Sequence, residues 1–231
     1  MRIRVALAGN PNVGKSVVFN NLTGGHQHIG NWPGKTVDKA EGTLNYKGNE
    51  IYVIDLPGTY SLTAYSVEEL IARDYIIQEK PDVVVNIVDA SNLERNLYLT
   101  LQLLELGANV IIALNKVDLA EREGIKIDTK KLEEKLGVPV IPTVAPRKEG
   151  MKELLDAIVK YARKPVKRRI VKYDEKIERY IGEIEKIIEG KVGDLDKRWV
   201  AIKILENDEE IKKKIDKSLL SKCEEAMGRM G

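Results

Sequence analysis

At 231 residues, with 43% hydrophobic and 32% charged residues, the chain has the composition of a soluble globular protein and is long enough for a principal domain with a smaller appendage. A formal net charge of +2 singles out neither nucleic acid nor an acidic surface as partner, and the lone cysteine, Cys223, forms no internal disulfide and fits a reducing, cytoplasmic setting. No stretch reaches the roughly 20 apolar residues of a membrane span, and the opening MRIRVALAGN is interrupted too soon to serve as a signal peptide. In chain order, short β-branched runs at 3–8, 43–45, 51–55, 83–88, 110–115 and 138–142 alternate with helical patterns at 15–23, 66–79, 93–106, 129–136 and 151–162. This alternation predicts an α/β fold with a six-stranded, mostly parallel sheet sandwiched by helices. Residues 46–50 read as a hairpin turn between two antiparallel strands.

After Ala162 the pattern changes. A basic, proline-containing connector at 163–169 leads to helices expected at 174–188, 196–205, 208–215 and 217–227. Ile177, Ile181, Ile184 and Ile188, then Ile202, Leu205, Ile211, Ile215, Leu219 and Leu220, recur every three or four residues and give each helix one apolar face. We therefore expect domains at 1–164 and 165–231, the second all-helical; a solvated tail is the alternative.

Gly9-Asn10-Pro11-Asn12-Val13-Gly14-Lys15-Ser16 follows a strand and opens a helix, the context a phosphate-binding loop needs. Backbone N–H groups of residues 10–17, through Val17, would wrap phosphates where the helix dipole favours negative charge. Lys15 would neutralise the β- and γ-phosphates, and the Ser16 hydroxyl would ligate Mg²⁺. Asp55-Leu56-Pro57-Gly58 ends a strand: Asp55 would hold Mg²⁺ through water, and the Gly58 N–H would sense a γ-phosphate. Thr36, between these two motifs, is the candidate switch hydroxyl for Mg²⁺. Asn115-Lys116-Val117-Asp118 ends a later strand, where α/β folds bind ligands. The Asp118 carboxylate can accept from both N1–H and the exocyclic amine of guanine, an arrangement adenine lacks. Thr143-Val144-Ala145 follows the last strand, and the Ala145 N–H is placed to meet guanine O6. Together these read as a GTP/GDP-binding, GTP-hydrolysing domain.

These motifs resemble those of translation-factor-related small GTPases. The wording of the first loop, of Gly30-Asn31-Trp32-Pro33-Gly34 before Thr36, and of Asp55-Leu56-Pro57-Gly58-Thr59-Tyr60-Ser61-Leu62 closely resembles the N-terminal cytosolic region of the ferrous iron transport protein B family. The likeness covers residues 1 to about 164, and the helical remainder is similar to the family's appended helical domain in position and character. The resemblance implies a GTPase that regulates Fe²⁺ transport from the cytoplasmic face of the membrane. Its partner would be a C-terminal membrane transport domain, with the helical domain modulating guanine-nucleotide affinity. No nucleic acid is expected, and self-association is left open. The alternatives are a free-standing GTPase of ribosome or RNA-modification assembly and a nucleotide-gated interaction module. His26 and His28, the only histidines, read as solvated residues of the first switch loop, a two-histidine metal site being the alternative.

Where many GTPases carry a water-orienting glutamine after Asp-x-x-Gly, this chain has Thr59, which implies slow intrinsic hydrolysis with Lys15, Thr36, Gly58 and Asn12 as the catalytic set. The family resemblance further implies K⁺ beside the phosphates, held by the Asn12 amide oxygen together with carbonyls near Asn31 and Trp32. A loop-capping Asn12 is the competing reading.

Overall fold

The structure is a computed structural model and describes residues 1–25, 27–63, 65–165 and 170–230, with the side chains of Gln27, Arg229 and Met230 outside the description. His26 and most of the basic connector thus lie outside the described residues. The strands are β1 (Arg2–Gly9), β2 (Gln27–Asn31), β3 (Asp38–Tyr46), β4 (Asn49–Asp55), β5 (Val83–Asp89), β6 (Val110–Asn115) and β7 (Val140–Pro142). They form one sheet in the order β2-β3-β4-β1-β5-β6-β7. From β4 to β7 the neighbours pair in parallel, while β2, β3 and β4 are antiparallel.

The sheet therefore has seven strands where the sequence predicts six. The extra strand, β2, pairs Gln27 through Asn31 with Gly42 through Asp38 at the sheet edge. Its segment, QHIGN, has one bulky apolar residue, Ile29, which is 63% exposed, so no hydrophobic alternation announces it. Backbone pairing alone makes it a strand. The β3–β4 hairpin turns at Lys47 and Gly48, both with positive φ, the backbone of a type I′ turn, which matches the twist of the strands it joins.

Central strands β5 and β6 are buried on both faces, as a parallel sheet covered on each side requires. Along β1, Ile3, Val5 and Leu7 enter one core with α1 (Lys15–Thr23) and α6 (Met151–Arg163). Ala6 and Ala8 face the other core, which is packed by α2 (Val67–Glu79), α3 (Leu93–Glu105), the short α4 (Val117–Arg122) and α5 (Thr129–Leu136). With this topology the motifs at 9–16, 55–58, 115–118 and 143–145 fall at the carboxyl ends of β1, β4, β6 and β7, on one rim of the sheet, while Thr36 lies on the turn between β2 and β3.

The C-terminal residues fold as α7 (Glu175–Ile188), α8 (Lys197–Leu205), α9 (Glu209–Lys214) and α10 (Lys217–Met230). Ser66, Asp174, Asp196 and Asp208, which the sequence reading takes as first helical residues, are N-caps whose side chains accept from the amide three residues on. Ile181, Ile184 and Ile188 pack against Trp199, Val200, Ile204, Ile211 and Cys223 in a third core, against which Ile77 of α2 and Leu106 also pack.

At that junction the Arg73 guanidinium of α2 donates to Asp208 Oδ2 at 2.7 Å, with the two side chains 1% and 4% exposed. Two other nitrogens of Arg73 lack partners among the described residues. Breaking a buried pair strands a charge, so Asp208→Ala, which also removes the cap of α9, is expected to cost about 3–5 kcal/mol. Urea unfolding followed by circular dichroism measures it; a loss under about 1 kcal/mol would show that the pair does not hold the junction.

Candidate functional site

The first loop runs from the end of β1 into α1. It leaves the sheet beside β5, where a Cβ on Gly9 would lie 2.7 Å from the Ile87 carbonyl. It reaches the helix through two left-handed residues, Asn12 at φ 66° and Gly14 at φ 90°. A Cβ on Gly14 would sit 2.5 Å from Asn115 Nδ2, so only glycine fits there. Among the described residues, the backbone amides of residues 12–16 donate to no backbone acceptor. Of these residues, Asn12, Gly14, Lys15 and Ser16 line a cavity of about 530 Å³ at the helix N-terminus, together with Asn10, Pro11, Val17 and Gly58. Val13 points the other way, buried against the core under α1. Asn10 is 3% exposed, and neither polar atom of its carboxamide has a partner among the described residues.

The Lys15 ammonium pairs with Asp55 at the end of β4. Burial holds the Asp55 carboxyl above its ordinary pKa, and the nearby Lys15 charge only partly offsets this. Gly58 lies against Pro11, and the Thr59 N–H donates to the Gly9 carbonyl at 3.2 Å, so the Asp55–Thr59 segment is laced directly to the loop.

On the other flank Asn115, 1% exposed, joins three segments. Its Nδ2 donates to the Val13 carbonyl at 2.8 Å, and its Oδ1 accepts from the Ala145 N–H at 3.0 Å and the Thr143 hydroxyl at 3.2 Å. Val144 is buried beneath, and Asn21 of α1 donates to the Ala145 carbonyl at 2.7 Å. The Ala145 amide, which the sequence reading aims at a base, is thus engaged by Asn115. Lys116, at φ 60°, donates from Nζ to the Asn12 carbonyl at 2.8 Å and to Asp89 at 2.6 Å. Asp118, in the first turn of α4, is met by Arg122 at 3.2 Å and Arg147 at 3.6 Å.

The structure does not gather every predicted residue. Thr36 is exposed on the turn between β2 and β3 and is not among the residues lining the cavity. In that turn the Trp32 N–H donates to the Val37 carbonyl and the Trp32 carbonyl accepts from the Lys35 N–H, both at 2.9 Å. The Trp32 indole is 8% exposed and meets Tyr75 of α2 edge to face at 5.6 Å. The Asn12 side chain makes no hydrogen bond among the described residues, and α1 has no side-chain cap, so the loop-capping role is not seen.

Several supporting residues lie outside the predicted set. Gln102 of α3 accepts from the Leu62 N–H at 2.6 Å. Glu69 gathers Ser61, Thr63 and the Tyr65 amide. Arg95 lies 4.2 Å from the centroid of the exposed Tyr60 ring. Of the missed partners only Asp89 carried a signal, its place at the carboxyl end of a strand. The others depend on long-range packing.

A seven-stranded mixed sheet with a phosphate-type loop at β1, a carboxylate at the end of β4 and an Asn-Lys-x-Asp loop at the end of β6 defines a P-loop G domain. A family model described as "Ferrous iron transport protein B" matches residues 3–158, and one described as "FeoB cytosolic helical domain" matches residues 173–230. The chain belongs to the ferrous iron transport protein B family.

Among relatives, it is 56% identical over 217 residues to the Fe(2+) transporter FeoB of Methanocaldococcus jannaschii, a match covering 93% of this chain and 32% of that protein. It is similar to the cytosolic domain of the T. maritima FeoB iron transporter in its GMPPNP form (TM-score 0.86, 40% identity, 99% of this chain, 94% of that one). It is also similar to a mutant of S. thermophilus NFeoB bound to mGDP (TM-score 0.90, 38% identity, 100% and 89%). The chain spans about a third or less of the length of the curated relatives it matches.

Because Asn115 satisfies two buried backbone groups at once, Asn115→Ala orphans the Val13 carbonyl and the Ala145 amide, each at about 1–3 kcal/mol. The expected result is a loss of several kcal/mol in chemical denaturation of the protein without ligand. A loss below about 1 kcal/mol would mean that the three loops hold together without it.

Proposed function

We propose that this chain is the guanine-nucleotide-binding, GTP-hydrolysing module of a ferrous iron transporter and that its switch segments regulate Fe²⁺ passage from the cytoplasmic face of the membrane. The observation that carries the reading is the Asn115 junction, which places the free amides of residues 12–16 and the Asp118 carboxylate at one rim of the sheet. Amides at a helix N-terminus bind phosphates, and Asp118 selects guanine over adenine. The mGDP and GMPPNP forms of similar proteins support the same assignment. In this reading residues 1–164 form the G domain and 165–231 the helical domain that modulates nucleotide affinity and faces a membrane transport domain.

The donor set fits Mg²⁺: the partly buried Asp55 carboxylate has a single ammonium partner, and the Ser16 hydroxyl is exposed on the cavity wall. Ser16 and Asp55 would hold the ion, with Thr36 as the switch hydroxyl, and the ion would supply charge neutralisation at the phosphates. Lys15 exchanges Asp55 for the phosphates, and the Gly58 amide reports the γ-phosphate. Thr59 cannot orient water as a glutamine does, so intrinsic turnover is slow. The unengaged Asn12 amide on the cavity wall has the oxygen a monovalent cation needs, which fits K⁺.

Base choice is tested by Asp118→Asn, which should weaken GTP binding and favour xanthine nucleotides, because the asparagine amide donates to the xanthine 2-oxo group. Titration with labelled GTP, ATP and XTP reads it; equal affinity of the parent for ATP and GTP would sink the assignment. The cation is tested by single-turnover hydrolysis in matched KCl and NaCl. The parent should be faster in K⁺, a fixed cation contributing toward the roughly 10³- to 10⁵-fold of an arginine finger, and Asn12→Ala should erase the difference. Identical parent rates in both salts would exclude K⁺ activation.

A further inference from the structure

Asn12 and Lys116 are both non-glycine residues in the left-handed region, at φ 66° and 60°, a conformation other residues adopt only under constraint. One ammonium ties them together: Lys116 Nζ donates to the Asn12 carbonyl at 2.8 Å. A lysine ammonium on a four-carbon stem is flexible and strongly hydrated, and this side chain is 31% exposed, so that bond alone does not fix it.

Asp89 supplies the fixing point. Its Oδ2 accepts from Lys116 Nζ at 2.6 Å, and its side chain is only 13% exposed. The carboxylate is itself held from behind. Its Oδ1 accepts from the Ser91 N–H at 3.0 Å and the Ser91 hydroxyl at 2.7 Å, and the Asp89 amide donates to Asn96 Oδ1 at 3.3 Å. The chain of bonds therefore runs from the rigid start of α3, through the end of β5, to the first turn of the phosphate loop. Asp89 lines no part of the cavity by the loop.

We propose that Asp89 is a positioning residue for nucleotide retention. It holds the Lys116 ammonium against the Asn12 carbonyl and so keeps the left-handed turn in the shape that presents the amides of residues 12–16. The inference rests on the nucleotide reading of this site. A role confined to capping the turn at Ala90–Asn92 would use Oδ1 and Ser91 and leave Oδ2 irrelevant.

The test is the release of fluorescent GDP from the full chain in the presence of Mg²⁺, chased with unlabelled GDP. The variants are Asp89→Asn, Lys116→Met, the double variant and Ser91→Ala. Asp89→Asn keeps the shape and removes the charge, and should release GDP about tenfold faster, the scale of a lost charge-assisted hydrogen bond. Ser91→Ala, which keeps the Ser91 N–H on Oδ1 and loses only the hydroxyl, should speed release by less than Asp89→Asn does, and the double variant should release no faster than Lys116→Met alone, since Asp89 acts through Lys116. Parent-like release from Asp89→Asn, or effects that add in the double variant, would overturn the proposal. Should Asp89→Asn fail to fold, Asp89→Glu, with its charge on a longer stem, replaces it in the same cycle. A parent that retains no GDP would overturn the nucleotide reading itself, an outcome distinct from a tight parent with unaffected variants.

Discussion

The rim of the sheet is organised around one buried carboxamide. Asn115 ends β6 and reaches sideways to the Val13 carbonyl in the first loop, while its oxygen collects the Thr143 hydroxyl and the Ala145 amide beyond β7. No aliphatic side chain could replace it, since two of its partners are backbone groups that burial would leave unsatisfied. The glycine at position 14 is the steric counterpart, because a Cβ there would occupy the space of the carboxamide nitrogen. From this junction the first loop takes its distance from Asp118, and Asn21 carries the same bracing into α1. Neutral hydrogen bonds hold a place where charges would be costly to bury. The charges, Lys15, Asp55, Lys116 and Asp89, stand around it in partly exposed pairs.

The C-terminal helices obey a different balance. Their core is isoleucine-rich and closed by Trp199, yet their contact with α2 includes a fully buried ion pair in which the arginine is not completely satisfied among the described residues. Such a pair adds little net stability compared with a well-packed apolar contact, but it penalises any seating that separates Arg73 from Asp208. Helix α2 begins shortly after the Asp55–Thr59 segment, and Glu69 in its first turn gathers that segment's continuation. The ion pair consequently defines where the helix after the Asp55–Thr59 segment meets the helical region.

Much of this was legible in the sequence because the signals were local. The helices at Lys15–Thr23 and Thr129–Leu136 have the bounds that their glycine stops at Gly24 and Gly137 announce. The short, β-branched apolar runs of β5 and β6, set between helical patterns, fit doubly covered strands. The site motifs were legible because their spacing places them at strand ends. What escaped was whatever depended on distant partners. β2 exists through pairing with β3 and not through its own composition, and α4 begins at a left-handed lysine whose side chain is held by contacts with the first loop. Asp89, Asn21 and Gln102 look like ordinary polar residues until the fold brings their partners within reach.

The burial of Trp32 gives the molecule an optical handle. The chain has two tryptophans: Trp32, on the turn between β2 and β3 against Tyr75, and Trp199, within the helical core. Each is at least nine-tenths shielded from solvent, so the emission of both lies toward the blue. Any rearrangement that peels the 31–37 turn from α2 would wet one indole and leave the other dry. With Trp199 replaced by phenylalanine, the colour of the remaining fluorescence becomes a readout of that turn alone.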